Sequence, residues 1–135
     1  MSPGRFKSYI LKQLKRILER VWHFLPAFFW GTTIFVLSTT GNIQLPEVSF
    51  LESDKLGHFA AYGLLTFLVL TGFSRQGVVT RSKIAGSILF CCFYGVLLEI
   101  VQYTFFPNRY FELYDALANA VGSVAGYFVF RQLNK

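Results

Sequence analysis

Four stretches of this chain are too long and too apolar to fold as anything but helices kept away from water: residues 21–39, 57–73, 84–106 and 113–130. Each approaches the ~20 residues needed to cross a hydrocarbon core of about 30 Å. In lipid a helix satisfies every backbone donor and acceptor within its own segment, an option closed to an isolated strand. Pro26 lies near the start of the first run, where the loss of one backbone donor is tolerated. No small-x-small cleavage pattern follows that run, so it reads as a permanent span rather than a removed leader.

Composition supports the membrane. The 135 residues are 53% hydrophobic and 19% aromatic, with 16 Phe, and only 15% are charged, against about 25% in a soluble domain. A chain this short could not bury so much apolar surface in a water-soluble core. The net charge of +6 does not indicate nucleic acid, because the basic residues form no groove-reading motif and do not interleave with aromatics. No nucleic-acid partner and no cofactor are expected. Cys91 and Cys92 are adjacent in an apolar run, offer neither metal spacing nor a disulfide framework, and read as packing residues.

Ahead of the first run, Phe6, Ile10, Leu14, Ile17 and Val21 recur at spacings of three and four among lysines and arginines. That pattern is a basic amphipathic helix suited to an anionic membrane surface, although a basic flank that merely sets topology would look the same. The expected architecture is therefore all-α and polytopic. A basic interfacial helix over residues 1–20 precedes a domain of four transmembrane helices over residues 21–135.

With the N-terminus in the cytoplasm and the spans alternating, only Lys55 and Arg109 of the 13 Lys and Arg fall outside. This asymmetry predicts both termini in the cytoplasm and an inner (cytoplasmic) membrane location. The acids run the other way. Glu19 alone lies inside, while Glu47, Glu52, Asp54, Glu99, Glu112 and Asp115 lie outside or in the outer half of a span. Acids weigh little in the orientation rule, so their bias needs another cause.

That cause is sought in a constellation. Asp54, His58 and Tyr62 are spaced i, i+4, i+8 along one stripe of the second span, with Asp54 or Ser53 placed to cap it. Glu99 and Gln102 share a face near the outer end of the third. Arg109 and Glu112 sit in the next loop, and Asp115 and Asn119 lie four apart on the fourth. A carboxylate at mid-bilayer costs roughly 2.5–3.5 kcal/mol, so Glu99 should face protein, toward Arg109, Lys55 or His58. Gly122 and Gly126 continue the fourth stripe as a GxxxG spacing, read as close packing within the chain rather than as a dimer face.

At these residues the sequence resembles the VanZ-like family of small bacterial membrane proteins. The stretches that carry the resemblance are "SDKLGHFAAYGLLTF" and "LLEIVQYTFFPNRYFELYDALANAVGSVAGY". The family pattern is met in order by Asp54, Lys55, His58, Phe59, Glu99, Gln102, Arg109, Asp115, Asn119 and Gly122, and the likeness spans about residues 24–130. The family takes its name from a protein associated with resistance to the glycopeptide teicoplanin, so the resemblance implies a bacterial cell-envelope membrane protein.

Three functions fit this constellation. In the first, a polar pocket between the second, third and fourth spans binds a lipid head group, a lipid-linked cell-wall precursor or a glycopeptide. Lys55, Tyr62, Gln102, Arg109 and Asn119 are then the ligand-binding residues, and membrane lipids are partners. In the second, the protein is a hydrolase or transferase acting on a lipid phosphate or acyl ester. His58 serves as acid or base, Asp54 or Asp115 orients it, and Glu99 acts as the acid. No nucleophile elbow or phosphate-cradling glycine loop supports this; a metal variant with His58 and carboxylates as ligands is conceivable, but HxxH- or HExxH-type spacing is absent and no metal is expected. In the third, the groups form only a structural network, although interhelical hydrogen bonds in membranes average about 0.6 kcal/mol.

Overall fold

A computed structural model describes residues 3–40, 51–106 and 110–135. Among them the chain forms five helices and no strand: α1 (Pro3–Trp22), α2 (Leu25–Thr39), α3 (Leu51–Ser74), α4 (Arg81–Phe105) and α5 (Leu113–Leu133). Three are long and apolar enough to cross a membrane, over Asp54–Ser74, Arg81–Phe105 and Leu113–Leu133. A fourth span results if α1 and α2 are taken as one, bent by 51° at the break between them. The all-α membrane architecture is therefore as expected.

The first run departs from its expected form. The chain turns at His23–Phe24, and α2 keeps only 15 residues, about 22 Å of helix. Pro26 near its N-terminus starts the new helix, where proline is pre-organised. Phe24 then wedges edge-on against Phe73 of α3, with ring centroids 4.9 Å apart. Gly72 leaves room for that ring, which a Cβ there would strike. The α3–α4 turn uses Gly77 at φ 127°, a conformation that side-chain-bearing residues resist. Thr80 caps α4 by accepting from the Lys83 amide.

The α3 helix already includes Leu51, so Asp54 lies inside its first turn and is not the cap that its position in the sequence suggested. Its carboxylate is thereby turned onto the helix flank, one turn above His58.

α3 and α5 form the most extensive helix pair. They run parallel. A Cβ on Gly122 would collide with the Phe59 backbone, and one on Gly126 with the Gly63 backbone, four residues further along both helices. The GxxxG spacing thus serves packing within the chain, as expected, and Gly63 completes it from the α3 side.

α2 is fastened across α3 and α4 by three hydrogen bonds. Trp30 Nε1 donates to Ala61 O (2.9 Å), Tyr94 OH to Gly31 O (2.8 Å) and Gln102 Nε2 to Ser38 O (2.8 Å). Ile34, Tyr62, Leu65, Cys91 and Leu98 make the core between these helices, and Cys91 is fully buried there as a packing residue. Outward-facing side chains are strongly apolar, with Phe28, Phe29, Leu89, Phe93 and Phe105 all exposed, as suits a lipid-facing surface.

Candidate functional site: a polar cluster at one end of the bundle

The glycine contacts between α3 and α5 set the site. Because Phe59 meets Gly122 and the helices run parallel, His58 is carried opposite Asn119 and Lys55 opposite Asp115, one and two turns toward the N-terminal ends. α4 enters from a third side. Gly95 leaves space for the Asn119 amide, whose atoms a Cβ there would meet at 2.7–3.1 Å. Glu99, six residues before the end of α4 and so about 9 Å below it, is 3% exposed.

The geometry is specific. His58 Nδ1 lies 3.0 Å from Asn119 Oδ1. His58 Nε2 stands 3.8 Å from Asp54 Oδ1 and 3.8 Å from Asp115 Oδ2. Lys55 Nζ is 3.6 Å from both Glu112 Oε2 and Asp115 Oδ1. Asp115 and Asn119 are buried, while Asp54 and Glu112 form a solvent-facing rim. Glu99 has His58, Asp115 and Glu112 as its titratable neighbours. At 3.6–3.8 Å the contacts of Lys55 Nζ and His58 Nε2 are too long for hydrogen bonds. Asp115 Oδ1 and Asn119 Nδ2 are buried with no hydrogen-bond partner.

Of the residues singled out in the sequence, Asp54, Lys55, His58, Glu99, Asp115 and Asn119 converge here. Tyr62 and Gln102 do other work. The Tyr62 ring is 2% exposed and sits in the apolar core, 6.3 Å from that of Tyr94, while Gln102 ties α4 to the end of α2. Arg109 and Glu47 lie outside the described residues, and the side chains of Glu52 and Ser53 are not described. Glu112, in the loop before α5, stays exposed and lies 3.6 Å from Lys55.

The polar pocket expected between these helices takes the form of a packed cluster with an exposed rim. A groove of ≈ 760 Å³ lies elsewhere, between α2, α3 and α4, lined by Phe28, Phe35, Leu65, Phe73 and Phe90, with Lys83 at its far end. Sequence reading missed Gly63 and Gly95, which let the helices close on the cluster. Gly63 could have been found from its spacing to Phe59, opposite the GxxxG pair. Gly95 carries no such signal, because its partner Asn119 lies on another helix.

The family model described as VanZ/LLP1 matches residues 5–134, nearly the whole chain. The chain belongs to the VanZ/LLP1 family. No curated protein and no solved structure matches it. In this VanZ/LLP1 member, the polar residues of the two resemblance stretches are largely those that α3, α4 and α5 bring to one end of the bundle.

Proposed function

We propose that this VanZ/LLP1 membrane protein holds the polar head group of a cell-envelope lipid at the outer surface of the bacterial inner membrane. The observation that carries the reading is the meeting of His58, Asp115, Asn119 and Lys55 behind a rim of Asp54 and Glu112. Burying such groups is costly unless they find partners, and a structural network would leave fewer of them unsatisfied. The surplus of carboxylates suits a ligand rich in hydroxyl or amine donors, such as the sugar head group of a lipid-linked wall precursor or a glycopeptide of the teicoplanin type. Arg109 belongs to the same loop as Glu112 and would add a bidentate contact to a phosphate.

Orientation follows from charge. Arg75, Arg81, Lys83 and Arg131 collect at the end opposite the cluster, and Gln76 holds the α1 end there through Arg20 O at 2.8 Å. That end is the cytoplasmic one under the positive-inside rule, with both termini on that side. α1 (Pro3–Trp22) then lies along the inner surface as an interfacial segment, with residues 21–135 as the membrane domain.

A second reading, hydrolysis or transfer at a lipid phosphate or acyl ester, is favoured by one feature. Asn119 engages Nδ1 of His58, so Nε2 faces the rim and is free to act as acid or base. Mass spectrometry of lipid co-purified with the native chain tests the first reading. A defined lipid species is expected, with His58→Ala and Lys55→Ala losing it at matched abundance. If both variants retain the lipid and only their melting temperatures fall, the cluster is a structural network and the proposal fails.

A further inference from the structure

The deepest oddity of the cluster is the imidazole. An amide oxygen accepts only, so the 3.0 Å contact to Asn119 Oδ1 requires a proton on Nδ1 of His58. In the neutral ring this leaves Nε2 as the lone-pair nitrogen, and that lone pair faces two carboxylates. Both carboxylate oxygens stand 3.8 Å from Nε2, beyond hydrogen-bond distance. Asp54, His58 and Asp115 each present one ligand atom, all within 4.8 Å of one another.

A second observation points the same way independently. Asp115 is 4% exposed, yet its Oδ1 accepts no hydrogen bond. The nearest cation, Lys55, is shared with Glu112 and stays 3.6 Å from each. Around His58 the described residues thus place the carboxylates of Asp54, Glu99, Glu112 and Asp115 against the single ammonium of Lys55. A divalent cation held by Asp54, His58 and Asp115 would offset carboxylate charge there and give Asp115 a partner.

We propose that Asp54, His58 and Asp115 bind a divalent transition-metal ion of the zinc class. Imidazole nitrogen with carboxylate oxygen is a donor set that such ions favour, and three protein ligands leave a coordination position open toward the rim. Metal–ligand bonds of about 2.0–2.2 Å put tetrahedral donors roughly 3.4 Å apart, so the two His58 pairs need to close by about 0.4 Å and the Asp54–Asp115 pair by up to about 1.4 Å. Asp54, exposed in the first turn of α3, can supply that movement. Asn119 is then the outer-shell partner that fixes the tautomer, as carbonyl and carboxylate oxygens do for metal-bound histidines elsewhere. Sequence spacing could not show this triad, because two ligands lie on α3 and the third enters from α5. The inference rests on reading the cluster as a ligand site and gives that site its chemistry: an open metal position would accept a hydroxyl or phosphate oxygen that the carboxylates alone would repel.

The test is titration of the tag-free full chain in detergent, stripped with chelator, with zinc chloride. Elemental analysis after dialysis and calorimetry are the readouts. One zinc per chain is expected. Asp54→Asn and His58→Ala should each weaken it at least tenfold, and Asn119→Ala by about 10- to 100-fold. Asp54 is exposed, so its variant keeps the fold, checked by circular dichroism of the metal-free form, and it decides the matter even if His58→Ala does not fold. No uptake above the detergent blank overturns the proposal, as does uptake that Asp54→Asn leaves unchanged. Lipid recovery is measured separately with chelator present. Lipid retained without zinc uptake removes the metal and leaves head-group binding standing, and zinc uptake without lipid does the reverse.

Discussion

Gly122 and Gly95 show how much of this site depends on missing atoms. A methyl group at 122 runs into the Phe59 backbone, which cannot step aside as a flexible side chain would, so Gly122→Ala should cost about 1–3 kcal/mol through forced separation of α3 and α5. Gly86→Ala is the control: nothing lies within 4 Å of a Cβ there, and alanine favours helix over glycine by up to ~1 kcal/mol. Thermal melting in detergent should therefore fall for the first and hold or rise for the second. Equal melting temperatures would mean that the two helices do not meet at Gly122. Asn119→Ala removes the partner of His58 from a fully buried position. A loss of about 1–3 kcal/mol is expected from the unmet group, read in the same melts.

Among the elements, α2 and α1 behave differently although they adjoin. α2 is held by polar side chains reaching across to backbone carbonyls, and in a membrane each such bond is worth only about 0.6 kcal/mol. Trp30→Phe should therefore lower stability by about that much, and a Trp30→Phe/Gln102→Ala double variant by roughly the sum, since Trp30 reaches α3 whereas Gln102 joins the far end of α2 to α4. α1 exposes Phe6, Leu14, Ile17 and Leu18 on one side and its lysines and arginines on the other. Each basic residue near an anionic leaflet contributes about 1 kcal/mol. Replacing Lys12, Lys15 and Arg16 with Gln should leave the fold intact while making α1 accessible to protease in anionic vesicles. Protection that survives the change would show that α1 is not held by lipid charge.

At the scale of the whole molecule, charge is sorted by end: arginines and lysines at the α3–α4 turn and the C-terminus, carboxylates at the opposite pole with His58. In a Cys91→Ala/Cys92→Ala background, Glu112→Cys should react with an impermeant thiol reagent from outside intact cells. Gln132→Cys should react only after lysis. The reverse pattern would place the cluster on the cytoplasmic side.

Sequence alone determined the membrane, the helices and the identity of most cluster residues, because apolar run length and i, i+4 spacing are local properties that a single chain segment carries with it. It also indicated which end most of the described charged residues join. It could not show that Asp54 sits within a helical turn rather than capping it, that the first run breaks at His23–Phe24, or that Tyr62 and Gln102 face the core and α2. Above all it could not show that His58 Nε2 meets carboxylates from two helices, with Asn119 holding the ring from behind. Those relations follow from how closely parallel α3 and α5 approach. Backbone contact at Gly63, Gly122 and Gly126 sets that approach, and the distance across it is encoded in no single segment.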